Sequence, residues 1–212
     1  MRESIYIRVL RYINTILSVC IFLCALWIGV EPLVPEIAFR FGGNHYVMPP
    51  MIKVSETNIT PDKQGVLNST EANYNNTLII PKIYLTTPIQ ELDRIEDLHT
   101  GSWLRPNTST PEKGGNTVIV GHRYTSIGGY TENTFYHLPK LEIGDRVYAD
   151  WHNHRYEYEV YSIKVVSPDD EEVEAPSAQN ILTLYTCTPL WTSTERHVVV
   201  SRLISIDGIV AK

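Results

Sequence analysis

Apolar residues cluster unevenly along the chain. Residues 12–30, YINTILSVCIFLCALWIGV, contain no charged side chain. As a helix rising about 1.5 Å per residue, the run spans roughly 28 Å, close to the hydrocarbon core of a bilayer. Arg2, Arg8 and Arg11 precede it, and Glu31 and Glu36 follow. The asymmetry predicts a single-pass helix in the cell membrane, with residues 1–11 in the cytoplasm and everything beyond residue 30 outside. A cleaved signal peptide is the competing reading. Val30 leads into Glu31, Pro32 and Leu33 with no small-x-small site, which favours a retained anchor. Lipoprotein processing at Cys20 does not fit either, because the apolar stretch continues past it to Val30.

Residues 31–76 form the next region. From Gly42 onward it is rich in Asn, Thr, Ser and Pro and lacks periodicity, as expected of a spacer. From residue 77 the texture changes. Short apolar runs at 78–80, 83–85, 116–120, 146–151, 156–166, 181–186 and 198–206 are punctuated by Gly, Pro, Asn and Asp and read as strands. His152-Asn153-His154-Arg155 has the character of a hairpin turn. Only 89–98 and 134–141 suggest short helices. Residues 77–212 are thus predicted to be a mostly β domain, a barrel or a sandwich.

Composition narrows the function. Lys and Arg total 18 against 24 Asp and Glu, a formal charge of −6 over 212 residues. That balance argues against a nucleic-acid partner, which needs a basic face. Three cysteines exclude a disulfide scaffold, and their spacing excludes a zinc ribbon. Cys20 and Cys24 fall inside the apolar run and read as small fillers in lipid. Cys187 is then the one exported thiol, with no exported partner for an internal disulfide.

A lone cysteine is more often an inert buried residue than a nucleophile. The setting of Cys187 shifts that balance. It ends the run 181–186 and precedes Thr188-Pro189, where a central strand must stop. A reactive thiol needs a base or a cation beside it. His122, in Val118-Ile119-Val120-Gly121-His122-Arg123, also follows a buried-type strand, with Gly121 permitting close backbone approach. His152 and His154 sit in a polar turn, His45 in the spacer, His99 and His137 in loops or helix ends, and His197 reads as a surface strand residue. An oxyanion also needs a donor. If the strands flanking residues 188–195 pair antiparallel, Arg196 returns to the level of Cys187. A salt bridge with Glu195 is the bland alternative for Arg196.

Thr183-Leu184-Tyr185-Thr186-Cys187 fits the TLxTC signature of sortases, and residues 116–123 resemble the strand that delivers the sortase histidine. Arg196 before an apolar strand resembles the sortase arginine. Ile80-Pro81-Lys82-Ile83 and the Leu-x-x-Gly-Asp ending at Asp145 add to the likeness, which covers about 78–206. The resemblance implies a membrane-anchored cysteine transpeptidase with a closed β-barrel of about eight strands. It implies cleavage of a Leu-Pro-x-Thr-Gly-type sorting signal through a thioacyl intermediate on Cys187. His122 would serve as acid and base, and Arg196 as oxyanion partner. Thr186 and Tyr185 would bind substrate, Tyr185 because alternation puts it on the face of Cys187. The acceptor would be an amine of peptidoglycan or of a pilin subunit.

Three features depart from the common pattern. Tyr185 is bulky for the variable position of the signature. His197 stands where an apolar residue is expected. Residues 169–174, DDEEVE, read as a solvated loop, with calcium binding as the sharper alternative. No cofactor is therefore expected. A lid of Asp-Pro-aromatic type and a second membrane span are not found, which disfavours a pilus polymerase. A tethered cysteine protease releasing to water, and an anchored barrel that only binds peptide, remain the rival classes.

Overall fold

The computed structural model describes residues 2–30, 33–41, 47–50, 76–94, 98, 101–124 and 133–211. Most of the 31–76 spacer, His45, His99 and part of 89–98 lie outside them. The chain divides into two units, Met1–His45 and Tyr46–Lys212. In the first unit, helix α1 covers Arg2–Val30 and helix α2 covers Val34–Phe41. The stretch of α1 long and apolar enough to cross a membrane is Tyr6–Val30. It starts before residue 12 because no Gly or Pro between Arg2 and Tyr12 interrupts a helix. Helix α2, unforeseen in the spacer, carries a Glu36–Arg40 ion pair of 2.9 Å at the i, i+4 spacing.

The second unit is a β-barrel. Its strands are β1 Thr77–Ile80, β2 Leu85–Glu91, β3 Ser102–Leu104, β4 Asn116–Gly121, β5 Arg146–Trp151, β6 His154–Val166, β7 Ile181–Thr188, β8 Glu195–Ile206 and β9 Ile209–Val210. They run β6-β5-β1-β2-β3-β4-β7-β8-β9, and β6 also pairs with β8. That second pairing closes a ring of eight strands, with β9 as a short hairpin on the end of β8. Closure removes exposed sheet edges. The β2–β3 and β4–β7 pairs are parallel, and the others are antiparallel.

The interior explains the pattern. Leu78, Ile80, Val118, Phe135, Leu138, Val147, Tyr158, Leu182 and Leu184 are fully buried. Strand β4 is buried at every position, and β7 at all of its first six except Tyr185. These two are covered on both faces and read as continuous apolar runs, whereas β6 alternates over its first half. The β5–β6 turn is tight, with Trp151 opposite His154 and His152 and Asn153 both at positive φ, as a two-residue hairpin requires.

Two expectations are corrected. Ile83 and Tyr84 are not in a strand, since Pro81–Ile83 forms a 3-10 turn that ends on Tyr84 at φ 56°; of the run 83–85 only Leu85 pairs, as the first residue of β2. Residues 89–91 belong to β2 rather than to a helix. In 134–141 the helical part is a single 3-10 turn, Leu138–Lys140.

Candidate active site

Strands β4, β7 and β8 build the site. Strand β4 lies parallel to β7, with Val120 beside Tyr185. The same register carried two residues further sets His122 level with Cys187. Thr186 fixes that end of the pair, its buried hydroxyl donating to the Gly121 carbonyl at 2.8 Å. Strand β8 runs antiparallel to β7, with Arg196 opposite Cys187 and His197 opposite Thr186. The three side chains read from sequence as the reactive set therefore come from three adjacent strands at one end of the barrel.

A cavity of about 410 Å³ opens there, and His122, Tyr185, Thr186, Cys187 and Arg196 all line it. Trp103, Val120, Val166 and Val173 give it apolar walls, and Arg105, Asp170 and Glu174 give it charge. Cys187 is partly exposed and free. The Arg196 guanidinium donates to the carbonyls of Ser193 and Glu195, both at 3.1 Å. Its contact with Glu195 is thus to backbone rather than to the carboxylate. Thr186 lines the groove, but its hydroxyl proton is committed to Gly121.

Sequence reading missed the contacts that build the wall of the groove. The acidic run forms a 3-10 turn, Glu171–Glu174, capped by Asp170, whose carboxylate accepts from the Glu172 amide at 3.1 Å. Val173 is buried. Glu174 accepts from the Tyr185 hydroxyl at 2.5 Å and from Arg105 Nε at 2.7 Å. Arg105 also lies over the Trp103 ring, 4.7 Å from its centroid. Burial, then the Glu174 carboxylate, push the Tyr185 hydroxyl well above the ordinary tyrosine range, so it stays a protonated donor. Asn116 Nδ2 donates to the carbonyls of Val173 and Ala175 at 3.1 and 2.9 Å, and Thr183 Oγ1 donates to Asn116 Oδ1 at 2.7 Å. The first threonine of the TLxTC run thus braces the wall, and the second braces β4. No group of three His, Cys, Asp or Glu side chains able to hold a metal occurs among the described residues.

Behind the cysteine, Arg123 donates to the Tyr136 carbonyl at 3.0 Å and to Cys187 O and Thr188 Oγ1, both at 3.4 Å. His197 is half-buried rather than a surface residue. Its Nε2 has no hydrogen-bond partner among the described residues. Burial, then the charge of Arg123, lower its pKa and favour the neutral ring.

Residues 78–204 match the family model for the sortase domain. Sortase A of Bacillus anthracis is 26% identical over 146 residues, which is 68% of this chain and 67% of that protein. Among solved structures, Sortase C1 of GBS Pilus Island 1 superposes with a TM-score of 0.55 at 30% identity, covering 61% of this chain and 64% of that one. Sortase A from Corynebacterium diphtheriae, a lid mutant, gives 0.57 at 26% identity, covering 64% of this chain and 72% of that one. The chain thus spans slightly less than two thirds of the sortase C1 structure it matches.

Proposed function

The chain belongs to the sortase family of cysteine transpeptidases, and on that premise we propose that Cys187, His122 and Arg196 are its catalytic residues. The substrate is a Leu-Pro-x-Thr-Gly-type sorting signal. The acceptor is an amine of peptidoglycan or of a pilin subunit. The observation that carries this reading is the convergence of those three side chains on one groove through the β4–β7–β8 register.

The Cys187 thiolate attacks the Thr carbonyl carbon and a C–S bond forms. Negative charge moves to the carbonyl oxygen, where Arg196 meets it. The intermediate collapses, the C–N bond to Gly breaks, and protonated His122 gives its proton to the departing amine. The incoming amine attacks the thioester carbonyl and gives up a proton to His122, and Cys187 leaves as thiolate. Charge is met by side chains at each step, and no cofactor is proposed. Tyr185 and the apolar walls hold the residues preceding the Thr. Helix α1 anchors the protein in the cell membrane, with its N-terminus in the cytoplasm and the barrel outside.

The test is a library of Leu-Pro-x-Thr-Gly-type peptides, supplied to the full-length protein in detergent with a panel of amines. Amine-ligated products with a preferred motif support the proposal. Hydrolysis alone makes the protein a tethered protease. Tight binding with no cleavage of any peptide makes it a binder.

A further inference from the structure

Arg123 follows His122 but does not line the groove. Its Nη1 bonds to the Thr188 hydroxyl, and alternation puts that side chain on the face of β7 away from the Cys187 thiol. The same nitrogen reaches the carbonyl oxygen of Cys187 itself. Nε is fixed on the Tyr136 carbonyl at 3.0 Å, and the Tyr136 ring centroid lies 6.0 Å from the guanidinium carbon. A half-buried cation is therefore tied to the nucleophile's own backbone, from behind. Arg196, by contrast, stands on the groove side, with its Nη1 on the carbonyls of Ser193 and Glu195.

We propose that Arg123 is a positioning residue for Cys187, holding the backbone at Cys187 and Thr188 in place and keeping a fixed positive charge behind the thiol. The inference rests on Cys187 being the nucleophile. A rigid carrier fixes the direction of attack, and small displacements of a reacting atom cost rate steeply. A nearby cation also favours thiolate over thiol, and half-buried charges are screened less than exposed ones. Burial lowers the Arg123 pKa, while Tyr136 and Cys187 as anions oppose that. Among the described residues, the other charged or titratable groups around Cys187 are His122 beyond β4, Glu195, Arg196 and His197 in β8, Arg105, Asp170 and Glu174 in the wall, and Tyr185 and Tyr136. His197, disfavoured as a cation, leaves Arg123 as the charge behind the thiol among the described residues.

The experiment uses the full-length protein in detergent. It measures the pH profile of Cys187 alkylation by iodoacetamide, together with kcat and KM on a cleaved sorting peptide. Arg123→Gln is expected to move the alkylation profile to higher pH, with a shift of about one unit corresponding to a tenfold change in the ionisation ratio. Its kcat is expected to fall about tenfold or more with KM little changed, the mark of an interaction outside ground-state binding. Arg123→Lys keeps the charge but not the planar fork. Its alkylation profile should stay that of the wild type while kcat falls. If Arg123→Gln does not fold, Arg123→Lys decides alone: an unchanged kcat or a shifted profile overturns the proposal. Where both fold, wild-type profiles and kcat in both overturn it, as does the same shift in both. Failure of the nucleophile assignment looks different, because alkylating Cys187 in the wild type would then leave activity intact.

Discussion

Arg196 meets Cys187 because the ladder between β7 and β8 pairs the two residues directly. Replacing Arg196 with Lys keeps the charge but loses the fork, and turnover should fall about 100-fold or more, the scale of losing an oxyanion donor. Peptide cleavage rates check this, and near-normal rates would make Arg196 structural. The half-buried His197 sets a pH dependence of stability. Its folded-state pKa lies below the ordinary 6.5. As pH falls through 6.5 the unfolded chain takes up the proton first, so stability present above that pH is lost below it. Thermal melts at pH 7.5 and 5.5 should show a drop, and His197→Phe should reduce it. An equal drop in the variant would absolve His197. At this scale the residues that meet in the groove could be picked out from the sequence, because the TLxTC run and the residue after Gly121 declare themselves locally. The Arg105–Glu174–Tyr185 contacts were not. Arg105 and Glu174 stand 69 positions apart, and nothing in local spacing joins them.

Strands carry those residues into place, and small polar contacts hold the strands in register. Gly121 shows how little room is left. A Cβ there would lie 2.7 Å from the buried Phe135 ring. Gly121→Ala should therefore destabilise the fold by about 1–3 kcal/mol through overpacking and disturb His122 next to it. Denaturant melts and peptide assays check both effects, and a wild-type midpoint with wild-type activity would contradict them. Thr183→Val removes the buried donor to Asn116. It should cost about 1–3 kcal/mol and loosen the groove wall, raising KM more than it lowers kcat. Regular strands were legible because each is a bounded apolar run. Strands β3 and β9 have three and two residues, too few for a periodic signal. Ile83 and Tyr84 misled because Pro81 turns an apolar stretch into a 3-10 turn.

For the whole molecule, the distribution of cysteines links anchor to chemistry. Cys20 and Cys24 lie in the apolar helix and Cys187 in the barrel. If α1 spans the membrane as proposed, a membrane-impermeant maleimide on intact cells should label Cys187 alone. Labelling that appears only after the cells are opened would reverse the orientation. Barrel closure through β6 and β8 joins the longest strands and was not readable locally, because such pairing depends on non-local contacts rather than on either strand's pattern. What was readable was the class, many short strands with few helices. The proposed chemistry turns on covalent catalysis at Cys187. Its most direct measurement is the intact mass of the full-length protein after mixing with a Leu-Pro-x-Thr-Gly peptide. An acyl adduct is expected that maps to Cys187, vanishes in Cys187→Ala and discharges onto an added amine. Turnover of the same peptide by Cys187→Ala at the wild-type rate would contradict it.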